Sequence, residues 1–355
     1  MTVYYLCPEH KHPVGGVKVI YRHVDILNKH GIPAYVVHKT SGFRVSWFQN
    51  ETPIVYWRNS SLDRLSAKLR RRLDAQAVVD IPIRGGPHGR IGAKDVLVIP
   101  ENYGPGMANA YGRGIKKVIL NQNCYLTFKG YAWDQSRRIT PYQHPDVLAT
   151  LVNSQDGEAY LRHTFPEMPL FRFRLSIDPD RFAYQGEKKR QICFSRIKNQ
   201  SDALQVVNIL KFRGVLKDFE LVPFINVPQD EVARILRESL LFLSFGYPEG
   251  FGLPAAEALS CGCVVIGFHG GGGREFFKPE FSYPIEQGDI IAFAQTVEAV
   301  IREYRRNPMG ILEKGKAASE FIHENYSAGL EEREVVGAWC EILVKHEKTL
   351  GSHDG

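Results

Sequence analysis

The sequence predicts an α/β protein made of two doubly wound domains, each a parallel sheet covered by helices. Three observations carry this expectation. Short apolar runs rich in Val, Ile and Tyr alternate with longer segments of helical period, the pattern of strand, crossover helix and parallel strand. The alternation stops over "FRFRLSIDPDRFAY" (residues 171–184), where Pro179 and polar neighbours interrupt both periods, and then resumes. The chain has 355 residues, enough for two domains that each bury a core.

In chain order, "TVYYL" (2–6) is the first strand, "VKVIYRHVDILNKHG" (17–31) a helix and "AYVVH" (34–38) the next strand. "SLDRLSAKLRRRLDAQ" (61–76) sets Leu62, Leu65, Leu69 and Leu73 at helical spacing with Arg64, Lys68, Arg70, Arg71 and Arg72 around them. Strands follow in "DVLVIP" (95–100), "KKVILN" (116–121) and "LATLVN" (148–153). The second series runs through "QICFS" (191–195), the helical "DALQVVNILKFRG" (202–214), "FELVPFI" (219–225), the helical "QDEVARILRES" (229–239) and "LLFLSF" (240–245). A helix starting at Pro254 and the strand "CVVIGF" (263–268) come next, with further helices to the end. The boundaries expected are 1–177 for the first domain and 178–335 for the second. A C-terminal helix and tail, 336–355, is expected to pack back on the first domain.

Hydrophobic residues make up 44% and charged residues 24%, the balance of a soluble globular protein. No apolar run reaches the roughly 20 residues of a spanning helix. The N-terminal stretch lacks the basic start of a secretory signal, so a cytoplasmic location is expected. The six cysteines show no CxxC spacing, and Cys261 with Cys263 lacks the further ligands that zinc needs. Net charge is +6, unevenly spread: residues 1–177 hold 24 Lys and Arg against 13 Asp and Glu, and residues 178–355 hold 21 against 26. A basic first half suits an anionic partner such as a lipid surface, a polyphosphate or nucleic acid, or is a solvated face. The basic leucine-striped segment 61–76 is accordingly either a core-facing helix or a peripheral contact with anionic membrane.

Candidate binding residues gather where strands give way to helices. Gly15 and Gly16 lead into the first helix, where backbone amides carry partial positive charge and glycine admits an anion; plain turn geometry explains them as well. Arg196 and Lys198 stand just past the strand 191–195, a planar fork and a mobile point charge for phosphate, or surface cations on a loop. The stretch "YPEGFGLPAAEAL" (247–259) carries Glu249 on a loop and Glu257 inside the following helix, with Gly250, Phe251, Gly252 and Leu253 at the helix start. Carboxylates accept short, strong hydrogen bonds from sugar hydroxyls. The structural alternative has Glu249 favouring the helix N-terminus and Glu257 paired with a cation.

With these residues in view, the chain resembles the retaining, sugar-nucleotide-dependent glycosyltransferases of the GT-B fold, family four, whose domains face each other across a cleft. "EGFGLPAAEALSCG" resembles the family signature of two glutamates seven residues apart. "LSIDPDRF", "SRIKNQ", "GFHGGGGREFF" and "PVGGVKVIYRHVDILNKHG" resemble its interdomain linker, donor-phosphate strand end, glycine turn, and first loop and helix. The resemblance implies that Glu257 binds the nucleotide ribose, that Glu249 and the amides of Gly250, Phe251, Gly252 and Leu253 hold the donor sugar and a phosphate oxygen, and that Arg196 and Lys198 neutralise the diphosphate. Gly15 and Gly16 would approach the distal phosphate. It implies a nucleotide diphosphate sugar as donor and no metal or other cofactor, with the "DPD" of Asp178 to Asp180 part of the linker. Two positions depart from the pattern. Ser201 stands where the family keeps its phosphate lysine, leaving Lys198 as substitute, and Glu101 and Asn123 stand about where the first domain usually carries histidines near the reacting sugar.

The function expected is transfer of a sugar to an acceptor hydroxyl with retention, Glu249 supporting sugar hydroxyls and Arg196, Asn123 and Glu101 completing the catalytic set. The alternatives are a nucleotide-sugar epimerase on the same scaffold and a nonenzymatic nucleotide or nucleic-acid binder. No nucleic-acid module supports the last. The acceptor and the donor's base and sugar are set by pocket shape and cannot be read from motifs.

Overall fold

A computed structural model describes residues 1–58, 80–107, 114–133 and 140–351. The segment 61–76, with its leucine stripe and the membrane contact expected of it, lies outside the described residues. Contacts divide the chain into two compact units. The first comprises Met1–Asn153, Gly157–Phe173 and the C-terminal segment from Glu332, and the second comprises Ser154–Asp156 with Arg174–Glu331. The first unit thus gives way at Phe173, within the Pro-interrupted stretch, and takes back the end of the chain.

The first unit holds a nine-stranded sheet in the order β5-β4-β3-β2-β1-β6-β7-β8-β9. Its strands are β1 (Val3–Leu6), β2 (Ala34–His38), β3 (Ile54–Trp57), β4 (Ile81–Arg84), β5 (Arg90–Ile91), β6 (Val96–Pro100), β7 (Lys116–Asn121), β8 (Val147–Val152) and β9 (Leu170–Arg172). From β3 to β9 every pairing is parallel, with Tyr5 opposite both Val36 of β2 and Val98 of β6. Near-continuous apolar strands are what burial on both faces requires, and β1 and β6 are buried along their length. The expectation of parallel pairing fails at one edge, where β4 runs antiparallel to β3 and β5. Only residues 85–89 join β4 to β5, too few for the crossover a parallel pair needs. Helix Gly15–Lys29 turns Val17, Ile20, Val24 and Leu27 inward at spacings of three and four, the single face a helix buries. From the returning segment the Trp339 indole donates to the Tyr5 hydroxyl at 2.8 Å, both groups buried.

The second unit is a five-stranded sheet in the order β11-β10-β12-β13-β14, parallel throughout. It comprises β10 (Lys189–Ser195), β11 (Glu220–Phe224), β12 (Ser239–Ser244), β13 (Val264–Phe268) and β14 (Ser282–Ile285). Helices Gln200–Phe212, Gln229–Glu238, Leu253–Ser260, Ile290–Arg306 and Pro308–Asn325 accompany it. Its core joins Ile192, Leu241, Val264 and Ile266 of the strands to Val206, Leu210, Phe293 and Val297 of the helices. Five cysteines are buried and Cys340 is exposed, all six as free thiols. Among the described residues no helix is long and apolar enough to cross a membrane.

Candidate functional site

Each parallel sheet changes the direction of its strand order once, and that switch point is where the carboxyl ends of two neighbouring strands part to leave a crevice. In the second unit the change falls between β10 and β12. The loop leaving β10 carries Arg196, Lys198 and Asn199, and the loop leaving β12 runs through Gly246 and Glu249. A cavity of about 100 Å³ opens between them, lined by Lys198, Glu249, Gly252, Pro254 and His269 over an apolar floor that includes Phe245 and Phe268. The structure therefore brings together Lys198, Glu249 and Gly252 from the residues singled out in the sequence.

Arg196 is exposed, its amide donating to the Phe224 carbonyl at 2.9 Å. Its guanidinium has no partner among the described residues. Lys198 instead is engaged: its Nζ lies 2.8 Å from Glu249 Oε1 and donates to the Pro248 carbonyl at 2.8 Å. The pair is partly exposed, at 36% and 23% for the two side chains, so it forms at the rim of the crevice and not in the core. Asn199, which sequence reasoning passed over, fastens the two loops. Its backbone takes φ 45°, a left-handed conformation that Asn tolerates better than most residues, and its Nδ2 donates to the carbonyls of Phe245 at 2.7 Å and Tyr247 at 3.2 Å.

The Glu249 loop is then clasped to the glycine turn that follows β13. The Glu249 amide donates to the Gly270 carbonyl at 2.7 Å, and the Gly272 amide donates to the Glu249 carbonyl at 3.0 Å, a bridge of parallel type. Only glycine permits this approach: a Cβ on Gly272 would sit 2.0 Å from the Gly250 carbonyl oxygen. Behind the turn, the buried Glu275 accepts from the Gln155 amide at 2.7 Å and from the Tyr326 hydroxyl at 3.0 Å.

Gly252 opens helix Leu253–Ser260 with φ 97°, and Pro254 occupies the first turn, where a missing N–H costs nothing. Among the described residues the amides of Gly250, Phe251, Gly252 and Leu253 donate to no acceptor. Unused donors at a helix start are a ready anion site, the more so where carboxylate repulsion is relieved by a paired lysine. The Phe251 ring itself is buried against Phe276 and Tyr326, with centroids 5.1 and 5.5 Å away, so this residue offers its backbone alone. Glu257 is partly buried one turn along the helix and does not line the cavity. Cavity-lining His269 was likewise not anticipated. The Gly271 amide donates to its Nδ1 at 3.0 Å, which leaves Nε2 carrying the proton, while burial and then Arg274 hold its pKa below the ordinary histidine value. Asp178 of the "DPD" motif accepts the amides of Asp180 and Arg181 at 3.1 and 3.2 Å, which shapes the linker turn.

In the first unit the strand order changes direction between β1 and β6. Gly15 and Gly16 begin the helix after β1, two residues earlier than the apolar period suggests. Gln122, just past β7, donates to the Gly16 carbonyl at 3.1 Å, and a Cβ on Gly16 would meet its amide group at 3.1 Å. Gln122 is a further residue that no motif announced. Asn123 spends its side-chain oxygen on the Tyr125 amide at 3.1 Å, capping a short turn. Glu101, past β6, is partly buried. Burial pushes its carboxyl up to about 7, against the downward pull of the backbone amides of Gln122 and Asn123 and of Lys129. Gly16, Gln122, Asn123 and Glu101 thus form one polar group at the carboxyl edge of this sheet.

Residues 197–315 match the family described as glycosyl transferases group 1. Over 240 residues the chain is 26% identical to an α-1,6-glucosyltransferase of Actinobacillus pleuropneumoniae serotype 7 (strain AP76), covering 61% of this chain and 66% of that protein. Among solved structures it is similar to a sucrose-phosphate synthase from Thermosynechococcus elongatus, with TM-score 0.63 and 12% identity over 97% of this chain and all of the other. It is also similar to Anabaena HepE, solved with UDP and glucose, with TM-score 0.59 and 13% identity over 99% and 100% of the two chains. The fold is accordingly of the GT-B class.

Proposed function

We propose that this chain, which carries a group 1 glycosyl transferase segment in its second unit, moves a sugar from a nucleotide diphosphate sugar to an acceptor hydroxyl with retention at the anomeric carbon. One observation carries the proposal. At the switch point of the second sheet, the Glu249 carboxylate stands within a few residues of one cavity together with four consecutive amides and the Arg196 guanidinium, none of which has a partner among the described residues. That set matches a ligand with hydroxyls at one end and a diphosphate at the other.

The chemistry follows from where charge develops. As the bond between the anomeric carbon and the phosphate oxygen breaks, negative charge grows on the leaving diphosphate. Preset amides and a guanidinium stabilise that charge more in the transition state than in the ground state. Glu249 orients the sugar by accepting from its hydroxyls, and the departing phosphate oxygen takes the acceptor proton, so no side chain serves as nucleophile. Glu257, one turn into the helix, is assigned to the ribose hydroxyls. Gly15 and Gly16 are assigned to the distal phosphate, and Glu101, whose carboxyl titrates near neutrality, to the reacting sugar with Asn123. No metal is required in this scheme, the cations and amides taking its place.

The test is to incubate the protein with UDP-glucose and other nucleotide sugars, each with and without saccharide acceptors, and to resolve products by mass and by anomeric proton coupling. Transfer with an unchanged anomeric configuration is expected. An epimerised sugar formed without acceptor would identify an epimerase instead, and a chain that turns over none of these donors would sink the proposal.

A further inference from the structure

Lys198 was expected on phosphate, but its cation is already matched by the Glu249 carboxylate 2.8 Å away. A phosphate approaching Nζ would meet that carboxylate at close range, a like-charge contact, whereas Arg196 on the same loop has no side-chain partner among the described residues. We infer that Lys198 and Glu249 act as one donor–acceptor pair that binds two neighbouring hydroxyls of the transferred sugar, leaving the diphosphate to Arg196 and the helix amides. This deepens the nucleotide-sugar proposal and rests on it.

The hydrogen-bond inventory supports the pairing. An ammonium has three donors; Nζ gives one to the Pro248 carbonyl and lies in an ion pair 2.8 Å from Glu249 Oε1, which leaves at least one for a ligand. A carboxylate only accepts, and Oε2 of Glu249 receives nothing among the described residues. Both side chains line the cavity. The carboxylate rests against Gly246, where an added Cβ would come within 3.2 Å of Oε1, and the loop beneath is held by Asn199 and by the bridge to the glycine turn. One open donor beside one open acceptor, on a stiff support, is the complement of adjacent hydroxyls, of which one accepts from Nζ and the other donates to Oε2. Phosphate oxygens supply no hydrogen for Oε2, so the pair discriminates sugar from phosphate.

Calorimetric titration of UDP and of UDP-glucose into the full chain separates the two roles. In Lys198→Met, UDP affinity should stay within about twofold of wild type while UDP-glucose binding weakens by about tenfold or more, and Lys198→Arg, which keeps a cation, should recover most of that loss. Arg196→Ala should weaken both ligands by a similar factor, since both carry the diphosphate. If Lys198→Met loses UDP and UDP-glucose alike, Lys198 is a phosphate cation and the inference is overturned. An unchanged UDP-glucose affinity overturns it as well. A wild-type chain that takes up neither ligand refutes instead the nucleotide-sugar proposal on which the inference stands. Unfolding midpoints of the variants, measured alongside, separate loss of contact from loss of fold.

Discussion

Gly272→Ala tests whether the glycine turn holds the Glu249 loop in place. The added Cβ would lie 2.0 Å from the Gly250 carbonyl oxygen, 2.3 Å from its carbon and 2.6 Å from the Phe251 nitrogen, all backbone atoms with no side-chain freedom to yield. Ordinary contact begins at 3.4 Å, so the two segments must part by about 1.4 Å. The bridging hydrogen bonds, 2.7 and 3.0 Å long, then stretch past any useful length. Losing two such bonds costs about 1 kcal/mol each, and forced overpacking adds about 1–3 kcal/mol, for a total of roughly 3–5 kcal/mol. That is a large part of the stability of an ordinary domain, about 5–15 kcal/mol. Gly31→Ala is the control: its φ of +75° strains a side chain, but nothing lies within 4 Å, so it should cost only about 1 kcal/mol. Urea unfolding of both variants reads the difference, while UDP titration and transfer assays read the displaced loop through its amides and Glu249, where a shift of about 1 Å should cost around two decades of activity. A Gly272→Ala protein that is less than about 1 kcal/mol destabilised and binds UDP as wild type does would refute the clasp.

Three further outcomes are expected. Glu249→Ala should lose one to two decades of kcat, about 1.5–3 kcal/mol of charged hydrogen bonding, while still binding UDP; near-normal turnover would remove Glu249 from the site. Glu101 keeps its proton to about pH 7 in the folded chain against an ordinary 4.5, so the folded state holds the extra proton between these values and stability falls as pH rises through that window, by about 3 kcal/mol. Glu101→Gln should flatten this fall in thermal unfolding scans at pH 5 and 8, and an unaltered pH dependence would show that the carboxyl is not the source. Transfer activity should survive overnight dialysis against a chelator, and a loss restored by a divalent cation would show that the amides and Arg196 do not suffice.

How much of the site could be read in advance depended on how each residue acts. Glu249, Gly252 and Pro254 were legible because each carries a local reason: a loop carboxylate, a left-handed helix start and a proline in the first turn. Asn199, Gln122 and His269 were not, because each acts across the fold. Asn199 reaches carbonyls 46 and 48 residues along the chain, and Gln122 contacts the carbonyl of a residue 106 positions away. Lys198 is the reverse case, where a local argument gave a mobile point charge for phosphate and the tertiary fold sets it 2.8 Å from a carboxylate.

By itself, then, the sequence determined the alternation of strands and helices, and with it two parallel sheets whose loops bear the polar residues. Period and turn chemistry act over a few neighbours, and every strand so identified is present. Only the tertiary structure decided which strands lie side by side, and hence where each sheet's order turns and whose loops meet. It also decided that β4 and β5 run antiparallel and that the glycine turn lies 2.7 Å from the Glu249 amide. Those choices depend on burying apolar faces and satisfying backbone groups between segments distant in the chain, a balance struck over the whole fold and encoded in no single stretch.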